Sequence, residues 1–161
     1  MTMPKNIIRL LHLISYMCMC TFLTACSNSS WSIFPTRINS QILASFDINP
    51  DVNNRPSPLV IRIYELQSIT AFNDADFFKL YDEEEATLGA DLLSREEFEL
   101  SPGQGREVTR TPNDKARYFA VIAAFRDIDQ ARWRVSLPLE LNSKNTFVVR
   151  VNKHSVTINK R

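Results

Sequence analysis

From Ile38 onward the chain alternates. Ile38, Ile42, Ala44, Phe46 and Ile48 fall on one side and Asn39, Gln41, Ser45 and Asp47 on the other, the period of two expected of a strand with one buried face. Leu59 to Leu66, LVIRIYEL, is a second strand, apolar enough to lie centrally in a sheet. The period then breaks. Asn73 is placed as an N-cap with Asp76 three residues on, and Phe77, Leu80 and Tyr81 follow at helical spacing. This predicts a short helix with an acidic tail, Asp82 to Glu85, within one helical insertion at about 70–90.

Strand character returns at Leu92 to Leu100, and Ser101-Pro102-Gly103-Gln104-Gly105 makes a turn. Arg106 to Arg110 is short and polar, an edge strand. Arg117 to Arg126 contains the most apolar stretch after the N-terminal segment and is placed centrally. Asp127 to Gln130 turns the chain into Arg132 to Leu139, where Trp133, Val135, Leu137 and Leu139 share a face and Pro138 marks an edge. Asn142 to Asn145 turns again; Phe147, Val149 and Val151 pack inward, and Val156 with Ile158 forms a last strand after a turn at Lys153-His154. About eight short strands with one helical insertion predict a mainly β fold, an antiparallel two-sheet β-sandwich over 37–161.

One connection stands apart. Asn49-Pro50-Asp51-Val52-Asn53-Asn54-Arg55-Pro56-Ser57-Pro58 holds three prolines and three asparagines in ten residues. Proline lacks the ladder N–H and pushes its predecessor toward extended conformations, so this is a loop. It is longer than a tight hairpin needs, and long loops within compact domains are often functional.

The N-terminus differs in kind. Lys5 and Arg9 are followed by a run from Leu10 to Ala25 without Asp, Glu, Lys or Arg that ends on small residues, the order of a secretory signal. A transmembrane helix needs ~20 apolar residues; this run is shorter and carries His12, Ser15, Thr21 and Thr24. Leu23-Thr24-Ala25-Cys26 resembles the lipobox of bacterial lipoproteins. The resemblance implies a signal peptide over 1–25 and a mature chain that begins at Cys26 and is acylated there. Residues 26–36 are then the acylated cysteine and a flexible tether, with Ser27 to Ser32 as its small polar stretch. Ser27 after the cysteine, where an Asp would favour inner-membrane retention, implies the outer membrane. Cys18, Cys20 and His12 would leave with the signal, so the mature chain has no second cysteine for a disulfide.

With 44% apolar and 23% charged residues, the composition is that of a folded domain. Without Lys5 and Arg9 the chain carries 17 basic and 18 acidic residues, which argues against nucleic acid as a partner. The charge is uneven: Asp74 to Asp91 holds seven acids and one lysine, and Arg106 to Arg161 twelve basic and five acidic residues. Two solvated faces that partly neutralise one another account for this.

Catalytic chemistry finds little footing. His154 is the one histidine of the mature chain and cannot by itself build a His-based zinc site or serve a triad from a turn beside Lys153. Asp82-Glu83-Glu84-Glu85 lacks the spaced oxygens of a calcium loop and reads as a solvated charged helix end. Gly103 and Gly105 precede no Lys-Ser/Thr and make no phosphate loop. No enzyme activity, cofactor or metal is expected beyond a covalent lipid on Cys26. An alternative role, binding a small ligand or glycan, would use Tyr64, Tyr118 and Trp133.

NPDVNNRPSPLVIRIYELQS (Asn49 to Ser68), FNDADFFKLYD (Phe72 to Asp82), TLGADLLSREEFELSPGQ (Thr87 to Gln104) and YFAVIAAFRDID (Tyr118 to Asp129), with the lipobox before them, resemble the TssJ (SciN) outer-membrane lipoproteins of type VI secretion systems. The most telling pieces are Arg55-Pro56-Ser57-Pro58-Leu59 and Ala75-Asp76-Phe77-Phe78. The resemblance implies a transthyretin-like sandwich and an anchor, facing the periplasm, for the secretion membrane complex. Its partners would be the periplasmic C-terminal region of TssM, TssL through TssM, and the outer membrane through the acyl chains. In that family the contact runs through the loop between the first two strands, here Asn49 to Pro58, with Asp51 and Arg55 as candidates for charge-assisted hydrogen bonds to the partner.

Overall fold

The computed structural model describes residues 34–161; the expected signal peptide, Cys26 and most of the expected tether lie outside them. Eight strands form two four-stranded sheets. The strands are β1 (Arg37–Ala44), β2 (Leu59–Leu66), β3 (Leu92–Leu100), β4 (Gly105–Arg110), β5 (Tyr118–Ala123), β6 (Arg134–Pro138), β7 (Lys144–Asn152) and β8 (Ser155–Lys160). One sheet runs in the order β4-β1-β7-β8 and the other β3-β2-β5-β6. The two strands predicted central are central, and β4 and β6 are edges.

The mainly antiparallel two-sheet sandwich expected from the sequence is the fold found, with three differences in detail. The pairing of β1 with β7 is parallel, Arg37 against Lys144 through Ala44 against Val151, while the other strand pairs are antiparallel. β1 stops at Ala44. Beyond it the Ala44 N–H donates to Gln104 and the Ser45 N–H to Val151, the chain bends out of the ladder, and Phe46 emerges 83% exposed while Ile48 stays buried. The insertion, finally, is three short helices and a 3₁₀ turn: α1 (Thr70–Asp74), α2 (Phe77–Asp82), α3 (Glu84–Leu88) and Gly89–Asp91. Its side-chain N-cap is Asp76, which accepts from the Lys79 N–H at 2.9 Å. Asn73 instead lies inside α1, its own N–H bonded back to Ile69.

Two cores result. Between the sheets, Ile38, Ile42, Phe147, Val149 and Val151 meet Leu59, Ile61, Ile63, Phe119 and Val121, and the rings of Phe119 and Phe147 lie 4.7 Å apart. On the outer face of the second sheet, Tyr64, Leu66, Ala120 and Ile122 are covered by Phe72, Leu80 and Leu88 of the helices. Each fully buried apolar side chain contributes ~1.5–3 kcal/mol. With helices on one side and the other sheet behind, β2 and β5 are buried on both faces, which is why they read as near-continuous apolar runs.

Charge fastens the helices down. Arg62, on the outer face of β2, pairs with Glu97, donates to the Tyr81 carbonyl at 2.5 Å, lies 3.3 Å from Glu84 and places its guanidinium 4.0 Å from the Tyr81 ring centre. Glu84 also accepts from the Tyr64 hydroxyl (2.9 Å) and pairs with Arg95 (3.0 Å). Glu84 is thus buried and paired, which corrects the reading of Asp82 to Glu85 as a wholly solvated end; Asp82, Glu83 and Glu85 are exposed. Arg134 donates to the carbonyls of Phe72 (2.9 Å) and Ala75 (2.6 Å), partners that the end of a short helix otherwise lacks.

The open sides of the sandwich close differently. At the β3/β4 side, Glu96 pairs with Arg106 (2.7 Å) and Arg110 (3.1 Å), and Arg106 lies over Phe98. At the β6/β8 side a short parallel bridge joins Arg132 and Ser155.

Candidate functional site

The strand registers sort the connections by end. Leu43 lies opposite Gly105, Ala44 opposite Val151, Leu59 opposite Leu100 and Ile61 opposite Ala123. The loop 45–58 and the turns β3–β4, β5–β6 and β7–β8 therefore gather at one end of the sandwich. Arg37, the first residue of β1, is at the other. Eight residues of strand put ~26 Å between them.

Loop Asn49 to Pro58 is built from its base. Asn49 is 5% exposed and adopts φ 47°, the left-handed region that asparagine tolerates better than other non-glycine residues; the expectation that every pre-proline residue is extended fails here. Its hydrogen bonds explain the conformation. The Asn49 N–H donates to Lys153 in the β7–β8 turn (3.1 Å), Nδ2 donates to Pro58 across the loop (2.9 Å), and Oδ1 accepts from the Arg126 N–H in the β5–β6 turn (2.8 Å). One side chain ties the loop's two ends to each other and to the neighbouring turn.

Asp51 organises the tip. Its Oδ1 accepts from the N–H groups of Asn53 (2.8 Å) and Arg55 (2.9 Å), and Oδ2 accepts from Arg55 Nε (2.8 Å) and pairs with Nη2 (2.7 Å). The Asp51 N–H donates to the Arg55 carbonyl and the Asn54 N–H to that of Asp51, both at 2.9 Å, with Asn54 at φ 58°. Both oxygens of the Asp51 carboxylate, expected from the sequence to face a partner, are thus engaged within the loop. Val52 stands 94% exposed at the apex, flanked by exposed Asn53, Asn54, Arg55 and Pro56. Pro50 and Ser57 are half-buried at the base and Pro58 is exposed.

The Arg55 side chain, then the backbone N–H groups of Arg55 and Asn53, hold the Asp51 carboxyl below the usual carboxylate range. A depressed carboxyl contributes order above its unfolded value, ~3.9, and that contribution fades as pH falls through its folded value. The Asn53 and Arg55 amide NMR shifts should therefore titrate together with a midpoint below 3.9. Asp51→Asn should abolish the titration, and a midpoint at or above the ordinary aspartate value would contradict this account.

Phe46, which the strand pattern had placed inward, is the residue sequence reasoning missed. Gly103 (φ 73°) in the β3–β4 turn leaves room for its ring: a Cβ at Gly103 would come within 2.5 Å of it. The Ser-Pro-Gly turn signal was visible, but not what lies over it.

A family model described as T6SS-SciN, type VI secretion lipoprotein, VasD, EvfM, TssJ, matches residues 36–154. The chain belongs to this family. Among solved structures, the type VI secretion lipoprotein TssJ1 from Pseudomonas aeruginosa is 35% identical with a TM-score of 0.77, covering 79% of this chain and 97% of that one. Lip from Serratia marcescens, described as a membrane-bound component of the type VI secretion system, is 30% identical with a TM-score of 0.73, covering 79% and 98%. A chain in a structure described as the TssM C-terminal domain of that system from EAEC is 26% identical with a TM-score of 0.64, covering 77% and 98%. No curated protein matches the chain.

Against this type VI secretion lipoprotein frame, the aromatic groove weighed from sequence does not form. Tyr64 is fully buried with its hydroxyl on Glu84. Trp133 stacks edge-on against Phe77 at 5.3 Å and packs into both cores, and Tyr118 is half-buried against the outer-face core. These rings hold the helices to the sheet.

Proposed function

We propose that this chain is the outer-membrane tether of a type VI secretion membrane complex. Acylated at Cys26 and facing the periplasm, it grips the periplasmic C-terminal region of TssM through loop Asn49 to Pro58 and reaches TssL through TssM, without catalysis. The observation that carries this reading is the loop itself: a ten-residue projection, locked by Asn49 and Asp51, that presents Val52 bare at the end of the sandwich away from Arg37. A loop ordered before docking loses little conformational entropy on binding, and an exposed valine at an apex is suited to a pocket on a partner. That the family is one of secretion lipoproteins, and that a related chain occurs in a structure described by the TssM C-terminal domain, supports the choice of partner.

The test is capture of the periplasmic part of TssM by the mature protein. Burying one valine contributes ~1.5–3 kcal/mol, so Val52→Ser should weaken capture by roughly 10- to 100-fold, with thermal unfolding unchanged because the side chain is 94% exposed. Undiminished capture would remove the loop from the interface. In cells, Cys26→Ser should shift the protein out of the membrane fraction; retention there would end the acyl-anchor reading.

A further inference from the structure

Large exposed apolar side chains among the described residues are Phe34, Phe46, Val52, Phe78 and Leu141. They divide by end. Phe46 and Val52 belong to the loop end, and Phe78 lies beside Ile128 of the β5–β6 turn around one cavity. Phe34 and Leu141 are at the opposite end, where the chain enters β1.

The charge divides differently. At the loop end, Arg55, Arg126, Arg132 and Lys153 are balanced by Asp47, Asp51, Asp127 and Asp129. At the entry end, Arg37, Lys115, Arg117 and Lys144 are exposed. Of the acids there, Glu65 is buried and paired with Arg110 at 2.9 Å and Glu140 is occupied by Lys160 at 2.6 Å, which leaves Asp91 and Asp114. Register and hydrogen bonds bring these cations together: Arg37 is the β-partner of Lys144, its N–H donates to Ser143, and the Leu139 N–H donates to Arg117. Between them Pro35, Thr36, Pro112, Asp114 and Leu141 line a cavity of about 260 Å³. The entry end thus combines a basic surplus with two bare apolar side chains, a combination that favours the surface of an anionic bilayer.

We infer that this end of the sandwich, Phe34, Arg37, Lys115, Leu141 and Lys144, docks on a bilayer surface containing anionic phospholipid. The inference rests on the proposed acylation of Cys26 for its physiological setting. Ten residues lie between Cys26 and Arg37, a span of at most ~38 Å fully extended and about 18 Å as a flexible chain. Tethering at that length supplies an effective concentration in the millimolar range, so a contact that the free body makes only at millimolar lipid is occupied throughout in an anchored one. Docking in this way stands the sandwich upright, with loop 49–58 pointing away from the membrane.

The solved relatives are covered almost entirely by this body, so residues 34–161 are a sound unit to test without the anchor. The body should co-sediment with phosphatidylethanolamine/phosphatidylglycerol vesicles (3:1) and at least fivefold less with phosphatidylcholine vesicles or in 0.5 M salt. Arg37→Gln/Lys115→Gln/Lys144→Gln should lower binding to the anionic vesicles at least fivefold without moving the thermal midpoint, and Leu141→Ser should lower it further. Equal sedimentation with both lipids, none with either, or an unaffected triple variant would overturn the inference. In the full acylated chain on the same vesicles, an environment-sensitive dye on Leu141→Cys should shift to the blue and one on Val52→Cys should not. Mass spectrometry of Cys26 separates the two readings: no acyl chain refutes the anchor while the sedimentation still stands, whereas an acylated chain whose body ignores anionic lipid refutes only the docking.

Discussion

Arg62→Met should lower the thermal midpoint of the folded body by roughly 8–15 °C. Arg62 sits on β2 beneath the helices, and three bonds radiate from it: to Glu97 on β3, to the Tyr81 carbonyl at the end of α2, and to Glu84 in α3. Removing one member of a buried ion pair costs about 3–5 kcal/mol when the partner is stranded. Here the cost is smaller, about 2–4 kcal/mol, because Arg95 still reaches both Glu84 (3.0 Å) and Glu97 (2.8 Å) and is itself well exposed. What Arg95 cannot replace is the bond to the Tyr81 carbonyl and the guanidinium over the Tyr81 ring, so the helices should loosen before the sandwich does. A second readout checks the cause. Arg62 first, then Arg95, holds the Glu97 carboxyl below its usual range; this stabilisation is present above the unfolded value of ~4.3 and lost as pH falls through the folded one. In Arg62→Met the Glu97 titration should therefore move up. Adding Glu84→Gln should recover part of the loss, since a buried carboxylate left with Arg95 as its one cationic partner is then neutral. A midpoint within about 2 °C of wild type would show that the network is ornamental to stability.

Why the network escaped a reading of the sequence is instructive. Period-two alternation and apolar runs reveal strands because the signal is local, and β2 and β5 were legible as central for the same reason: both faces are buried, so the run is unbroken. Glu84 was not legible. Within an acidic run it looks solvated, and what buries it arrives from Arg62 and Arg95, on strands before and after the helices. The parallel pairing of β1 with β7 is likewise a fact of topology between segments a hundred residues apart. The helix start was misplaced by one turn because Asn73 and Asp76 are both capping residues three positions apart, and the choice is made by α1 closing on the Ile69 carbonyl. At the site, Pro and Asn announced the loop, but not its interior. Asp51 seemed free for a partner, yet its contacts to Asn53 and Arg55 are two and four residues away, a short-range Asx pattern that the sequence did contain. Phe46 obeyed the strand period on paper and left it in the structure because the ladder ends at Ala44.

Asn49→Ala should weaken capture of the periplasmic part of TssM by about tenfold and destabilise the body by about 3 kcal/mol, although Asn49 itself is buried and touches no partner. Two contributions add. Alanine at φ 47° is strained by ~1–2 kcal/mol, and the Arg126 N–H and Pro58 carbonyl lose their partners at ~1 kcal/mol or more each. Variants separate these contributions. Asn49→Gly removes the backbone strain and leaves both bonds broken, so it should recover ~1 kcal/mol of stability but little affinity. Asn49→Asp keeps an acceptor for the Arg126 N–H and loses the donor to Pro58, so it should fall between wild type and Asn49→Gly in capture. Binding weakens in this series because an untied base lets Val52 wander, and the partner must then order the loop as it docks. Val52→Ser at the tip, by contrast, should lose capture with no loss of stability. If Asn49→Ala unfolds earlier but captures TssM as well as wild type, the loop's rigidity serves the sandwich and contributes nothing to the grip.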